Sequence, residues 1–275
     1  MAGNRGWWGM QARAKTLFQF VRSQFHQGRT LRHAWNWSKE PLAVIAIVLV
    51  SRTAIAAPYY VPSGSMEPTL QIGDAFIASK YAYGYSRFSM PFGWGPSSVH
   101  RLFGKVPERG DVVVFHLPRD PSQVWIKRVI GLPGDRIQMR EGRLYINGTI
   151  VPVKAEGTGS VELESGQQVA ARKFEEILPN GRAHSIYKLP WGSSLDNTRV
   201  FVVPPHHLFM MGDDRDNSLD SRVSMADGGV GFLPVENVVG RAEFVVGSWD
   251  FPVAMQSVGN WLSGLRLSRF FEAVN

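Results

Sequence analysis

Cysteine is absent from the 275 residues, so neither a disulfide framework nor a thiolate metal site can form. The absence does not choose a compartment, though it suits an oxidising one, where stray thiols are a hazard. Charge is scarce, with 19% Asp, Glu, Lys and Arg, and glycine and proline are frequent. That balance fits a turn-rich β protein better than a helical bundle. Internal repeats and low-complexity tracts are missing. Acidic residues are nearly missing from residues 1–40, where Glu40 alone stands against Arg5, Arg13, Lys15, Arg22, Arg29, Arg32 and Lys39. Six of the seven net positive charges therefore lie in that stretch. Basicity is an N-terminal property and not a footprint on the folded body, which argues against a nucleic-acid partner.

The apolar content is 44%, enough for one large core or one core with an appendage. Its longest run is Pro41 to Pro58, PLAVIAIVLVSRTAIAAP, close to the lower length limit for a membrane-spanning helix. Arg52 lies where its side chain can snorkel to the interface, and Pro58 is expected to end the helix. All the flanking positive charge precedes the run, so residues 1–40 are expected in the cytoplasm and the rest outside. Two other readings stay open. The run can be a buried core helix, or a signal peptide cut near Ala54-Ile55-Ala56, although 40 residues is long for an n-region. At the other end, Val258, Trp261, Leu262 and Leu265 recur at helical spacing, with Arg266 and Arg269 nearby. They predict an amphipathic helix over part of 251–275, lying either on a bilayer or on the protein's own core.

The body reads as strands. Asp111 to Phe115 reads as a buried strand, Val124 to Ile130 is a second β-rich run, and Leu144 to Val151 is a hairpin whose Asn147-Gly148 supplies the positive φ angles of a type I′ turn. Residues 88–97 form an apolar, glycine- and proline-rich loop. Residues 155–195 are polar with little periodicity, and 138–200 is expected to be a small inserted β subdomain. Strands return at 201–203, 208–211 and 244–246. The predicted fold is mainly β: an antiparallel core over 59–137 and 201–250, an insert, and one preceding transmembrane helix.

Three segments carry chemistry. In Pro62-Ser63-Gly64-Ser65-Met66-Glu67-Pro68 a proline-bounded turn can project a hydroxyl, though the same composition makes an ordinary surface turn. Serine needs a base to act as a nucleophile. The seven histidines sit in no recognisable Ser-His-Asp motif, although chain order alone excludes nothing. Lys127, flanked by apolar residues on a strand face with Trp125 and Val129, is the alternative. Desolvation lowers a lysine pKa toward neutrality, where the amine accepts a proton, whereas a solvated edge-strand lysine does not. The polar run Met211 to Arg222 is a hydrogen-bonded scaffold or a solvated loop. It lacks the spacing and the distal glutamate of a calcium loop, so no metal is expected.

SGSMEPT at 63–69, GDVVVF at 110–115, IKRVIGLPGD at 126–135 and MGDDRDNSLDSR at 211–222 resemble, in order, the boxes of bacterial type I signal peptidases. Val239-Gly240-Arg241-Ala242 resembles the short closing motif. The resemblance implies Ser65 as nucleophile and Lys127 as general base. It further implies Ser63 as an oxyanion donor, Ser218 as the group orienting Lys127, and Asp220–Arg222 as a supporting ion pair. Tyr59, Val61, Met66, Leu70, Trp125 and Ile126 match the walls that receive Ala-x-Ala ends. Trp125 stands where the family often has a smaller aromatic, and Asp214 where many relatives have Asn. The implied activity is removal of signal peptides from exported preproteins at the outer face of the bacterial inner membrane, by a single-pass enzyme. Its partners would be those preproteins, the lipid bilayer and a secretion translocon, and no cofactor is implied. A specialised peptidase of the same mechanism, serving conjugation or pilus maturation, and a non-catalytic membrane-anchored β module are the rival readings.

Overall fold

The computed structural model describes Pro41, residues 43–45, Val48, and residues 55–89, 101–163, 165–250 and 262–275. The strands, in chain order, are β1 (Ala56–Tyr60), β2 (Asp74–Ser79), β3 (Val112–Leu117), β4 (Asp120–Gly131), β5 (Arg136–Arg140), β6 (Arg143–Ile146), β7 (Thr149–Ile150), β8 (Val153–Glu162), β9 (Gln168–Ile177), β10 (Ala183–Lys188), β11 (Phe201–Val202), β12 (His207–Met211), β13 (Phe232–Pro234) and β14 (Val238–Ser248). A seven-stranded sheet runs β1-β2-β14-β3-β4-β12-β13. Residues 136–202 supply a four-stranded sheet, β11-β5-β6-β7, and a three-stranded one, β10-β9-β8. Every strand pairing is antiparallel. The expectation of a mainly antiparallel β protein holds, and residues 52–275 form one compact unit.

The strand sequences explain this arrangement. Val112, Val113, Val114 and Phe115 are all buried, because β3 lies inside the large sheet with both faces covered. β4 is solvated at its start and buried from Lys127 onward, where β3 and β12 flank it. The β6–β7 hairpin turns at Asn147 (φ 54°) and Gly148 (φ 82°), the left-handed pair that a type I′ turn needs. Beneath the segment after β1, Val61, Met66, Leu70, Phe76 and Val245 share one core cluster. Phe201 and Phe209, with ring centroids 5.1 Å apart, tie the four-stranded sheet to β12.

Two expectations change. Half of the run expected to span a membrane, 41–58, lies outside the described residues; Pro41, residues 43–45 and Val48 are helical, while its last three residues, Ala56–Pro58, are strand, paired with β2. Among the described residues no helix is long and apolar enough to cross a membrane. The basic stretch 1–40 and residues 90–97 of the apolar loop also lie outside them. Toward the C-terminus, Val258 and Trp261 lie outside, while the described residues 262–275 do not form the expected amphipathic helix. Leu265 bridges Trp249, Leu267–Arg269 is one 3-10 turn, and Ala273 bridges Phe244. This stretch packs through Arg269 and Val274, both buried, so a helical stripe of leucines is not what anchors it.

Candidate active site

The serine turn begins two residues after β1. Ser63 has extended backbone, and Gly64–Met66 forms a 3-10 turn closed by Glu67 N–H donating to the Gly64 carbonyl at 2.9 Å. Met66 and Leu70 sink into the core below, which leaves Ser65 at the half-buried crest. On β4, Lys127 faces Val113 across the ladder and is 4% exposed. Ser65 Oγ and Lys127 Nζ, 62 positions apart in sequence, lie 2.7 Å apart. The lysine also donates to the Ile126 carbonyl at 3.0 Å, and the Trp125 ring centroid is 5.5 Å from Nζ. Burial drives the Lys127 pKa down to about 8, against the opposing pull of Asp220 and Asp213. A lysine so placed is substantially a neutral amine at mildly alkaline pH, within proton-transfer distance of a hydroxyl.

The 211–222 segment wraps behind the serine turn. Asp214 N–H donates to the Ser65 carbonyl at 3.2 Å. Gly212 makes that approach possible: a Cβ there would lie 2.5 Å from the Ser65 carbonyl oxygen and 2.2 Å from Ser218 Oγ. Asp220 and Arg222 are paired through two hydrogen bonds, Nε to Oδ1 at 2.9 Å and Nη2 to Oδ2 at 2.7 Å. Asp220 also accepts from Gly212 N–H at 3.1 Å, which fixes the glycine. Although burial opposes ionisation of Asp220, the adjacent Arg222 holds its carboxyl below the usual range. Ser218 is buried, but its Oγ has no hydrogen-bond partner, so the expected bond to Lys127 is not formed in this geometry. Lys127 is oriented by Ser65 and the Ile126 carbonyl.

A cleft of about 460 Å³ opens over the dyad. Ser63, Ser65 and Lys127 line it, together with Tyr59, Trp125 and Ile126 from the expected walls. Val61, Met66 and Leu70 do not: they are 1%, 0% and 0% exposed and belong to the core that carries the turn. An apolar residue beside a nucleophile reads equally as a wall or as a footing, and here burial decides for footing. The remaining walls include Phe76, Val114, Leu163 and Leu219, with Asn217. Leu163 follows β8 and is joined to the 211–222 loop by Asn217 Nδ2 donating to the Glu162 carbonyl at 2.9 Å. Sequence spacing gives no sign of that contact.

Two buried ion pairs went unannounced as well. Arg128, next to Lys127, donates through Nε to Asp213 Oδ1 at 2.8 Å and through Nη2 to Oδ2 at 2.7 Å, both side chains 1% exposed. Thr69 Oγ donates to the same carboxylate at 2.5 Å. Arg215 Nη1 donates to Glu176 Oε1 on β9 at 2.6 Å, with His184 of β10 alongside. Burial, with Arg128 and Arg215 nearby, pushes the His184 pKa well down, so the imidazole is neutral. Behind the serine turn, Glu67 and Asp214 are both pushed up to about 7, each mainly by burial. Asp214 further raises Glu67, and Asp216 further raises Asp214. Asn217 pulls Asp214 down somewhat, yet its well-formed bond goes to Glu162, and both Asp214 oxygens are buried without a hydrogen bond.

Comparison with known proteins identifies the family. The family described as signal peptidase, peptidase S26, matches residues 34–249. Signal peptidase I of Rickettsia typhi is 40% identical over 245 residues, covering 83% of this chain and 89% of that protein. Signal peptidase I of Rickettsia akari is 38% identical over 260 residues, covering 89% and 93%. Among solved structures, a signal peptidase I from Enterococcus faecalis is 28% identical and covers 50% of this chain and 97% of its own, with a TM-score of 0.28. The chain belongs to the signal peptidase family, peptidase S26.

Proposed function

We propose that this serine endopeptidase removes signal peptides from exported preproteins with Ser65 as nucleophile and Lys127 as base. The observation that carries the reading is the 2.7 Å approach of a buried, pKa-depressed lysine to a serine at the floor of a cleft. Neutral Lys127 takes the Ser65 proton as Oγ attacks the scissile carbonyl, and the resulting ammonium then protonates the leaving amine. The same amine deprotonates the water that releases the acyl-enzyme. Ser65 N–H and the Ser63 hydroxyl act as oxyanion donors from the 3-10 turn and its cap. The unpartnered Ser218 hydroxyl serves the ammonium as it forms. Tyr59, Trp125 and Ile126 confine the cleft and favour small side chains at the first and third positions before the cut.

The run 41–58 acts as a single anchor up to the start of β1, with residues 1–40 cytoplasmic and the β body on the outer face of the bacterial inner membrane. The apolar 88–94 loop meets the same bilayer. Preproteins reach the cleft laterally, or from a secretion translocon. The Ala56–Ala57 bond, which follows the A-x-A-like Ala54-Ile55-Ala56, is held in β1 against Ser79 and Ala78, which withholds it from the cleft of another copy.

Cleavage of an Ala-x-Ala preprotein in detergent tests the proposal. Wild type should release product, while folded Ser65→Ala and Lys127→Met proteins should be at least a thousandfold slower. Lys127→Met should be no less stable than wild type below pH 8, because it removes the cost of burying an ammonium. Cleavage by either variant at the wild-type rate would mean the dyad is misassigned. An active dyad that ignores ordinary preproteins would favour a specialised processing peptidase.

A further inference from the structure

After β14 the chain returns to the sheet and touches every segment that carries the dyad. β3 begins at Val112, leaving the rest of β14 without a neighbour on that side, and residues 271–274 fill the gap. Phe271 N–H donates to the Val245 carbonyl at 2.8 Å, Val245 N–H to Glu272 at 2.9 Å, and Val274 N–H to Glu243 at 2.9 Å. Just before, two arginines grip the segment that follows Ser65. Arg266 donates to Gln71 Oε1 at 2.8 Å and to the Ile72 carbonyl. Arg269, 9% exposed, donates through Nη2 to the Thr69 carbonyl at 2.9 Å and to Asp74 Oδ2 at 2.5 Å, while Nη1 meets Glu272 at 2.6 Å. At the far end, the Asn275 backbone carbonyl accepts from Arg128 Nη2 at 2.8 Å.

These contacts close a ring. Arg269 holds the Thr69 carbonyl, the Thr69 hydroxyl holds Asp213, Asp213 holds Arg128, and Arg128 holds Asn275. The ring spans the serine segment, the lysine strand and the 211–222 loop, and residues 269 and 275 are its two closing points. We infer that residues 266–275 are a clasp that sets the Ser65–Lys127 approach from behind, with Arg269 as its principal positioning residue. Neither Arg269 nor Asn275 touches the cleft, so the clasp acts through Thr69 and Arg128. A loosened clasp lengthens the dyad distance and admits solvent to Lys127. Burial is the largest cause of the depressed lysine pKa, so admitting solvent raises it.

The inference rests on the dyad reading, and its test keeps the two apart. In the full chain, Arg269→Lys keeps a cation for Asp74 but loses the fork that also reaches Thr69. Its kcat should fall about tenfold or more with KM within about twofold, as for a misplaced reacting group. The ascending limb of kcat/KM against pH should move to higher pH. Glu272→Gln removes one arm of Arg269 from a half-exposed position and should show the same two changes more weakly. Leu267→Ser, on an exposed residue of the same stretch outside the ring, should show neither. If Arg269→Lys does not fold, Glu272→Gln decides alone. Unchanged kcat and pH limb in the folded variants, beside an active wild type, would overturn the clasp and leave the dyad standing. An inactive wild type would instead count against the dyad.

Discussion

At the scale of the residue, the site depends on groups whose roles their types alone do not disclose. Gly212 needs no special φ; its value is the space it leaves beside the Ser65 carbonyl. Gly212→Ala must push the serine turn away, and kcat should drop about a hundredfold, measured on the same preprotein with folding checked by circular dichroism. Pushed up to about 7, the Asp214 carboxyl is about half protonated at neutrality, and its protonated form resembles an amide in shape and charge. A folded pKa raised above the unfolded value means that stability present below about pH 4 is lost as pH rises through about 7. Asp214→Asn should therefore leave the denaturation midpoint unchanged near pH 4. It should raise stability by on the order of 2 kcal/mol above pH 7, read by urea unfolding at both pH values. Equal effects at both would contradict a buried neutral carboxyl.

At the scale of the element, legibility followed periodicity. β3 was readable because unbroken apolar residues mark a strand buried on both faces, and the second half of β4 because aromatic and β-branched residues flank its Lys127-Arg128 pair. The 147–148 turn was readable because Asn-Gly has one dominant use. β8 and β9, ten residues each, were not, because most of their side chains are exposed or half-buried and carry no alternation of hydrophobicity. What fixes them is Glu176, which reaches from β9 to Arg215 of the 211–222 segment. Partners 39 positions apart give no local signal. Glu176→Gln leaves Arg215 buried without its counter-ion and should cost about 3–5 kcal/mol in chemical denaturation, whereas Glu175→Gln, half-buried at the next position, should cost under about 1 kcal/mol.

At the scale of the whole molecule, the motifs pointed to the Ser65–Lys127 and Asp220–Arg222 pairs, which are in contact, while the fold decided what surrounds them. Met66 and Leu70 became footing, half the expected walls were replaced by residues from β2, β3 and the loop after β8, and the C-terminal stretch became part of the scaffold. All of this converges on one physical condition, a lysine kept dry enough to be neutral beside a serine. The most direct test is kcat/KM against pH for a soluble Ala-x-Ala peptide in detergent. It should be run in wild type and in Asp214→Asn, so that carboxyl titration near 7 is separated from the lysine. A single ascending limb at about 8, shared by both proteins, is the predicted result. A limb near the ordinary lysine value of 10.5, or activity independent of pH across that range, would contradict Lys127 as the base.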